Sequence, residues 1–132
     1  MSIFLDTSAF YALLDADDKN HTASKQSAAE LRRIGERLLT SNYVVVETCA
    51  LLHRRLGLDA LRTFVEDDLP NVSIHWIDLR LHACGVNAVL MSSKGGPNLV
   101  DCVSFALMRE LGVTNVFTFD RHFADQGFNC LP

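Results

Sequence analysis

A chain of 132 residues, 48% hydrophobic and 21% charged, has apolar material for one domain with a real core and too little length for two, and its balance excludes disorder and a coiled coil. A formal net charge of −4 excludes simple electrostatic coating of a nucleic acid, so contact with an anionic polymer has to use a local patch or a metal bridge. No apolar run approaches the roughly 20 residues of a membrane span, so no membrane partner is expected.

In chain order, "SIFL" (2–5) reads as a strand, followed by Asp6, Thr7, Ser8 and a helical pattern over 8–15. At that junction Asp6 is an ordinary N-cap, a carboxylate that satisfies the free N–H groups of a first turn. A helical pattern over 20–36 leads to a strand at "LLT" (38–40), then helices over 42–56 and 59–68, with Gly57 as a stop and Pro70 beyond the second end. "VSIHWI" (72–77) is a strand in which Trp76 alternates with Ile74, which places Trp76 in the core. Helices over 79–93 and 98–111 surround the irregular "SSKGGP" (92–97); Gly112 stops the second, and strands follow at "NVFTF" (115–119) and "FNCL" (128–131). Strands alternating with helices predict an α/β fold, a single domain over 1–132 with a mainly parallel sheet covered on both faces. Cys49, Cys84, Cys102 and Cys130 form no C-x-x-C pair and no secretory leader precedes them. They are expected as reduced, mostly buried thiols of a cytoplasmic protein.

In a parallel sheet the strands end at one edge, where the following helices begin, so acids at those junctions converge on one crevice. Asp6 closes the first strand and Asp120 closes "NVFTFD". On helices, Val44, Glu47 and Leu51 follow i, i+3, i+7, and Asp101, Phe105 and Met108 follow the same logic, which puts Glu47 and Asp101 on inward rows. Each acid has a plain alternative: Glu47 paired with Arg54 or Arg55, Asp101 reaching back to cap its helix, Asp120 starting a turn. Burying an unpaired carboxylate costs several kcal/mol, however, and no Lys or Arg occupies an equivalent inward place. The missing counter-charge is most simply a divalent ion. Carboxylate ligation selects Mg²⁺ or Mn²⁺, and such ions favour phosphate oxygens, which points to phosphodiester hydrolysis.

"FLDTSAFYALLD", "VVVETCALLHRRLG", "NLVDCVSFALMRELG" and "VFTFDRHFADQGF" closely resemble, in order and over the whole chain, the successive motifs of PIN-domain ribonucleases, especially VapC-like toxins of bacterial toxin–antitoxin pairs. The resemblance implies a three-layer α/β/α sandwich around a parallel five-stranded sheet, and an acid cluster of Asp6, Glu47, Asp101 and Asp120 that holds Mg²⁺ or Mn²⁺ and cleaves RNA. Thr7, Ser8 and Thr118 flank those acids and are expected to orient them or a water. The resemblance also implies a homodimer and a VapB-like antitoxin that blocks the acidic cleft. One departure is the glycine-rich "MSSKGGPN", which bears on the shape of the substrate groove.

Lys19, Arg54, Arg55, Lys94 and Arg121 are candidate phosphate contacts, with Arg121 favoured because it follows Asp120. His122 is a candidate substrate contact. His21, His53, His75 and His82 read as surface or half-buried residues, and no histidine pair with metal spacing is visible. A signalling receiver domain also gathers acids at strand ends, but it needs adjacent acids after its first strand and a lysine where Arg121 stands. A haloacid-dehalogenase-type phosphatase needs an aspartate where Ser8 stands. A PIN-like RNA-binding module without catalysis is the remaining alternative, opposed by the intact acids.

Overall fold

The computed structural model describes all 132 residues. Five parallel strands, β1 (Ser2–Leu5), β2 (Arg37–Ser41), β3 (Ser73–His75), β4 (Asn115–Phe117) and β5 (Asn129–Leu131), form one sheet in the order β3-β2-β1-β4-β5. Seven helices connect them: α1 (Thr7–Leu14), α2 (His21–Arg33), α3 (Asn42–Leu56), α4 (Leu58–Thr63), α5 (Leu79–Leu90), α6 (Leu99–Leu111) and α7 (Arg121–Asp125). The result is the expected α/β/α sandwich. A receiver domain has the order 2-1-3-4-5, which this sheet does not have.

The central strands explain the continuous apolar runs. Ile3, Phe4 and Leu5 of β1 and Val116 and Phe117 of β4 are buried, because a parallel sheet covered on both faces leaves neither side of an inner strand to solvent. Phe10 and Phe64 meet edge-on at 4.9 Å, as do Phe105 and Phe123. α5 lies close against α6, and Gly85 permits it: a Cβ there would stand 2.3 Å from Val103 Cγ2.

Where expectation and structure differ, local chemistry accounts for it. The 20–36 helix ends at Arg33 because Gly35 turns the chain at φ +74. The 59–68 helix is α-helical only to Thr63, then widens into a π turn over Phe64–Asp68 and tightens into a 3₁₀ turn over Leu69–Asn71 around Pro70, which has no N–H to continue an α-helix. α5 stops at Leu90, where Ser92 bonds back to the Val89 carbonyl through both its N–H and its hydroxyl. α7 was not expected, since five residues are too few to show a helical period. Trp76 is not in the core: β3 is an edge strand that ends at His75, and Trp76 beyond it is 78% exposed. The four cysteines are free, but only Cys102 is buried; Cys84 is exposed because α5 buries little more than Leu81 and Gly85.

The strand order fixes where a site can form. The chain moves outward from β1 to β3, then crosses through α5 and α6 to place β4 on the other side of β1. Neighbouring strands β1 and β4 therefore lead into helices that diverge, which opens a crevice at their carboxyl ends.

Candidate active site

Asp6 leaves β1 and caps α1, as a strand–Asp–helix junction dictates, with the Ser8 N–H 3.4 Å from Oδ2. The same oxygen accepts from the Ser8 hydroxyl (2.8 Å) and the Thr118 hydroxyl (2.9 Å). Those hydroxyls are held in turn. The Phe119 N–H donates to Ser8 Oγ at 2.9 Å, and the Asp120 N–H donates to Thr118 Oγ1 at 3.0 Å. One network thus ties the end of β1 to the segment after β4. Thr7 takes a different part: its Oγ1 accepts from Thr48 at 3.2 Å and joins α1 to α3. Asp6 is only 4% exposed, and burial raises its pKa against the opposing pull of the Ser8 and Thr118 bonds.

Asp101 sits in the first turn of α6 and reaches back to the Asn98 N–H at 3.0 Å, while Asn98 Oδ1 accepts from the Asp101 N–H at 2.9 Å. The capping role is therefore real, and it does not exhaust the residue. Asp101 is 6% exposed, and burial, opposed by the Asn98 bond and reinforced by Asp6, Asp120 and Glu47, pushes its pKa up to about 7. A helix cap alone would lower that value. The carboxyl belongs to a group of like charges.

Glu47 and Asp120 complete the group. Glu47 is half-buried beside the inward row of α3, which runs through Val44, Thr48 and Leu52, one position away from the row expected. It makes no ion pair. Arg55 does reach the cleft, a correction to the absence of cations there, but its guanidinium stands 5.5 Å over the Tyr11 ring. Arg54 is exposed outside the cleft. Asp120 lies three residues past β4 and caps α7, accepting from the His122 N–H at 2.9 Å.

All four acids line one cleft of about 270 Å³, together with Thr7 and Ser8. Sequence reasoning missed Tyr11, Asp18, Asn20 and Asn98 on its walls; only Asn98 carried a signal, as the cap of the helix it opens. Ligand atoms of Asp101, Asp120 and His122 lie within 4.8 Å of one another, so the histidine expected as a substrate contact stands among acids whose donor set was read as carboxylate alone. Beside the cleft lies a hollow of about 260 Å³, mostly polar, walled by the Ser93–Pro97 loop, Arg121 and His122. Lys94 and Arg121 there form no ion pair, whereas Lys19 is simply exposed surface.

The residues fit a divalent cation. Buried carboxylates held at one crevice without a Lys or Arg partner, one of them driven to a pKa of about 7, form an oxygen-rich donor set of the kind that hard ions take.

The fold agrees with comparisons to known proteins. Residues 3–129 match the PIN domain family. The 23S rRNA-specific endonuclease VapC20 of Mycobacterium tuberculosis is 32% identical over 127 residues, covering 96% of this chain and 95% of the relative. A VapC ribonuclease of Aquifex aeolicus is 25% identical over 130 residues, 94% of this chain and 91% of that one. The crystal structure of Mycobacterium tuberculosis VapC20, described as a sarcin–ricin loop cleaving toxin, superimposes with a TM-score of 0.84 at 32% identity, over 96% of this chain and 95% of that chain. A family match over residues 3–129, with a relative 32% identical over 96% of the chain, establishes that the chain belongs to the PIN-domain family.

Proposed function

We propose that the protein is a divalent-metal-dependent endoribonuclease and the toxin of a toxin–antitoxin pair, with Asp6, Glu47, Asp101 and Asp120 as its metal-holding acids. The observation that carries this reading is the convergence of four carboxylates on one cleft at the β1/β4 switch point, with Asp101 pushed to a pKa of about 7 by burial and its acidic neighbours. A bound Mg²⁺ or Mn²⁺ supplies charge to the scissile phosphate and makes water a better nucleophile. The chain's own residues do the rest. Ser8 and Thr118 hold Asp6 through Oδ2, and Thr118 also fixes the backbone of Asp120. Thr7 locks the α1–α3 wall on which Asp6 and Glu47 stand. Unpaired Lys94 and Arg121 grip flanking phosphates in the hollow beside the cleft, Arg55 does so from the cleft wall, and Arg54, outside the cleft, meets the RNA beyond it.

The relatives' names support RNA as the substrate, with structured ribosomal RNA the first to try, and a VapB-type antitoxin as the partner. Self-association is supported by Trp76, Leu79, Leu90 and Met91, exposed apolar side chains on and beside α5; sedimentation of the purified protein checks it. The test of the activity is incubation of the protein with ribosomal RNA in Mn²⁺, Mg²⁺ or chelator. Discrete fragments with either ion and none with chelator are expected; uncut RNA in all three would refute the reading.

A further inference from the structure

His122 is the one imidazole beside the acids, and its ring is held on one side. Nε2 lies 3.2 Å from the carbonyl oxygen of Gly95, across 27 residues of chain. A carbonyl only accepts, so the proton of a neutral ring is drawn to Nε2 and the lone pair is left on Nδ1. Nδ1 is sealed from solvent and makes no hydrogen bond. It nevertheless stands 2.9 Å from Asp120 Oδ1. At that distance the absence of a hydrogen bond means that the in-plane direction of Nδ1 passes to one side of Oδ1, as it does for two neighbouring ligands of one ion. Adjacent ligands on an octahedral ion with bonds of about 2.1 Å are about 3 Å apart, and opposite ones about 4.2 Å. The first distance is already present, and the Asp101 ligand atom falls in the same group.

The loop that orients the ring is itself held in shape by its glycines. Gly95 has φ +82, and a Cβ on Gly96 would meet the Ser93 carbonyl oxygen at 2.9 Å. Carbonyl, imidazole and ion in line is the arrangement by which a backbone oxygen fixes the tautomer of a metal-bound histidine.

We infer that His122 is a nitrogen ligand, through Nδ1, of the divalent ion held by Asp101 and Asp120, with the Gly95 carbonyl orienting its ring. This rests on the metal-dependent reading above and sharpens it. A nitrogen donor among oxygens favours a transition ion, so the site discriminates Mn²⁺ from Mg²⁺. The glycine-rich loop thereby becomes part of the metal site. The competing arrangement is a protonated His122 that pairs with Asp120 and binds no metal.

The test is pulsed electron paramagnetic resonance of Mn²⁺ added to the full-length protein, which reads directly bound nitrogen through its nuclear modulation. Wild type is expected to show one nitrogen coupling that changes to the ¹⁵N pattern when histidine is ¹⁵N-labelled. His122→Leu is expected to lose the coupling and to bind Mn²⁺ at least about tenfold more weakly, while Mg²⁺ affinity moves much less. Bound Mn²⁺ without nitrogen coupling in wild type overturns the ligation and leaves the metal-dependent reading standing. Failure of wild type to bind Mn²⁺ at all overturns both. The wild-type measurement decides even if the variant does not fold.

Discussion

Asp101 has two functions that pull its pKa in opposite directions, and the sign of the net shift separates them. Its folded value, about 7, lies above the unfolded value of about 3.9. The stabilisation it contributes is therefore fully present below pH ~4 and is lost as pH rises through about 7. Metal-free protein should lose stability across that window. Asp101→Asn keeps an oxygen for the Asn98 N–H and removes the charge, so at pH 8 in chelator it should melt higher than wild type. The gain is on the order of 1 kcal/mol, well below the full linkage value because the cleft is open to water. Excess Mn²⁺ should stabilise wild type more than the variant, since an ion that binds only the folded state adds stability that grows with the logarithm of its affinity. A variant that melts well below wild type in chelator would make Asp101 a cap and nothing more. Thr118 gives a second test. Thr118→Val keeps the shape but removes a donor to buried Asp6 and an acceptor for the Asp120 N–H, a loss of about 2 kcal/mol by thermal melting, with cleavage reduced about tenfold or more as Asp6 loses its orientation. Unchanged cleavage would leave Thr118 structural. At this scale much was legible. Asp6 and Asp101 stand at junctions whose local chemistry places them, while Glu47 was placed by a spacing that missed the buried row by one residue. His122 was legible as a contact near the site but not as a donor among the acids, because its ring is aimed by Gly95, which is remote in sequence, and by a helix too short to show a period.

Among the elements, α6 carries Asp101 into the cleft, and its position depends on how closely α5 approaches it. Gly85→Ala places a Cβ 2.3 Å from Val103 Cγ2. Better helix propensity, about 1 kcal/mol, offsets only part of an overpacking cost of about 1–3 kcal/mol. The expected outcome is a lower melting temperature and weaker Mn²⁺ binding. Val103→Ala in the same chain makes room and should restore part of both, so the two changes should be non-additive. Additive losses would mean that the contact does not transmit to the site. The helices with strong caps were legible to within a residue: α3 begins on Ser41 and ends at Gly57, and α6 begins on Asn98 and ends at Gly112. The α4 region was not, because a widened turn that buries Phe64 against Phe10 is set by tertiary packing rather than by propensity. Trp76 misled for a related reason. Alternation implies burial only while a strand lasts, and an edge strand of three residues ends before Trp76.

For the whole molecule, a net charge of −4 and four acids in one cleft mean that an anionic polymer would need a counter-charge there, which the proposed cation would supply. A basic side chain can occupy the same place. A VapB-type antitoxin is expected to inhibit by inserting an Arg or Lys among the four carboxylates. Alanine at that residue should restore cleavage while the complex still elutes as one species; inhibition indifferent to every basic residue of the antitoxin would contradict this. The α/β alternation and the cleft's location were legible because a parallel sheet collects its strand ends on one edge. The strand order was not, since the crossing from β3 to β4 leaves no mark in the sequence. Under the proposed function, the four-acid cleft hydrolyses RNA with a divalent ion and water as nucleophile. The most direct measurement is end-group analysis of RNA cut by wild type and by Asp101→Asn, each with Mn²⁺ and with EDTA. Wild type in Mn²⁺ is expected to leave 5′-phosphate and 3′-hydroxyl ends, with no cleavage in EDTA or by the variant; wild-type cleavage that persists in EDTA, or products ending in 2′,3′-cyclic phosphate, would rule out metal-assisted attack by water.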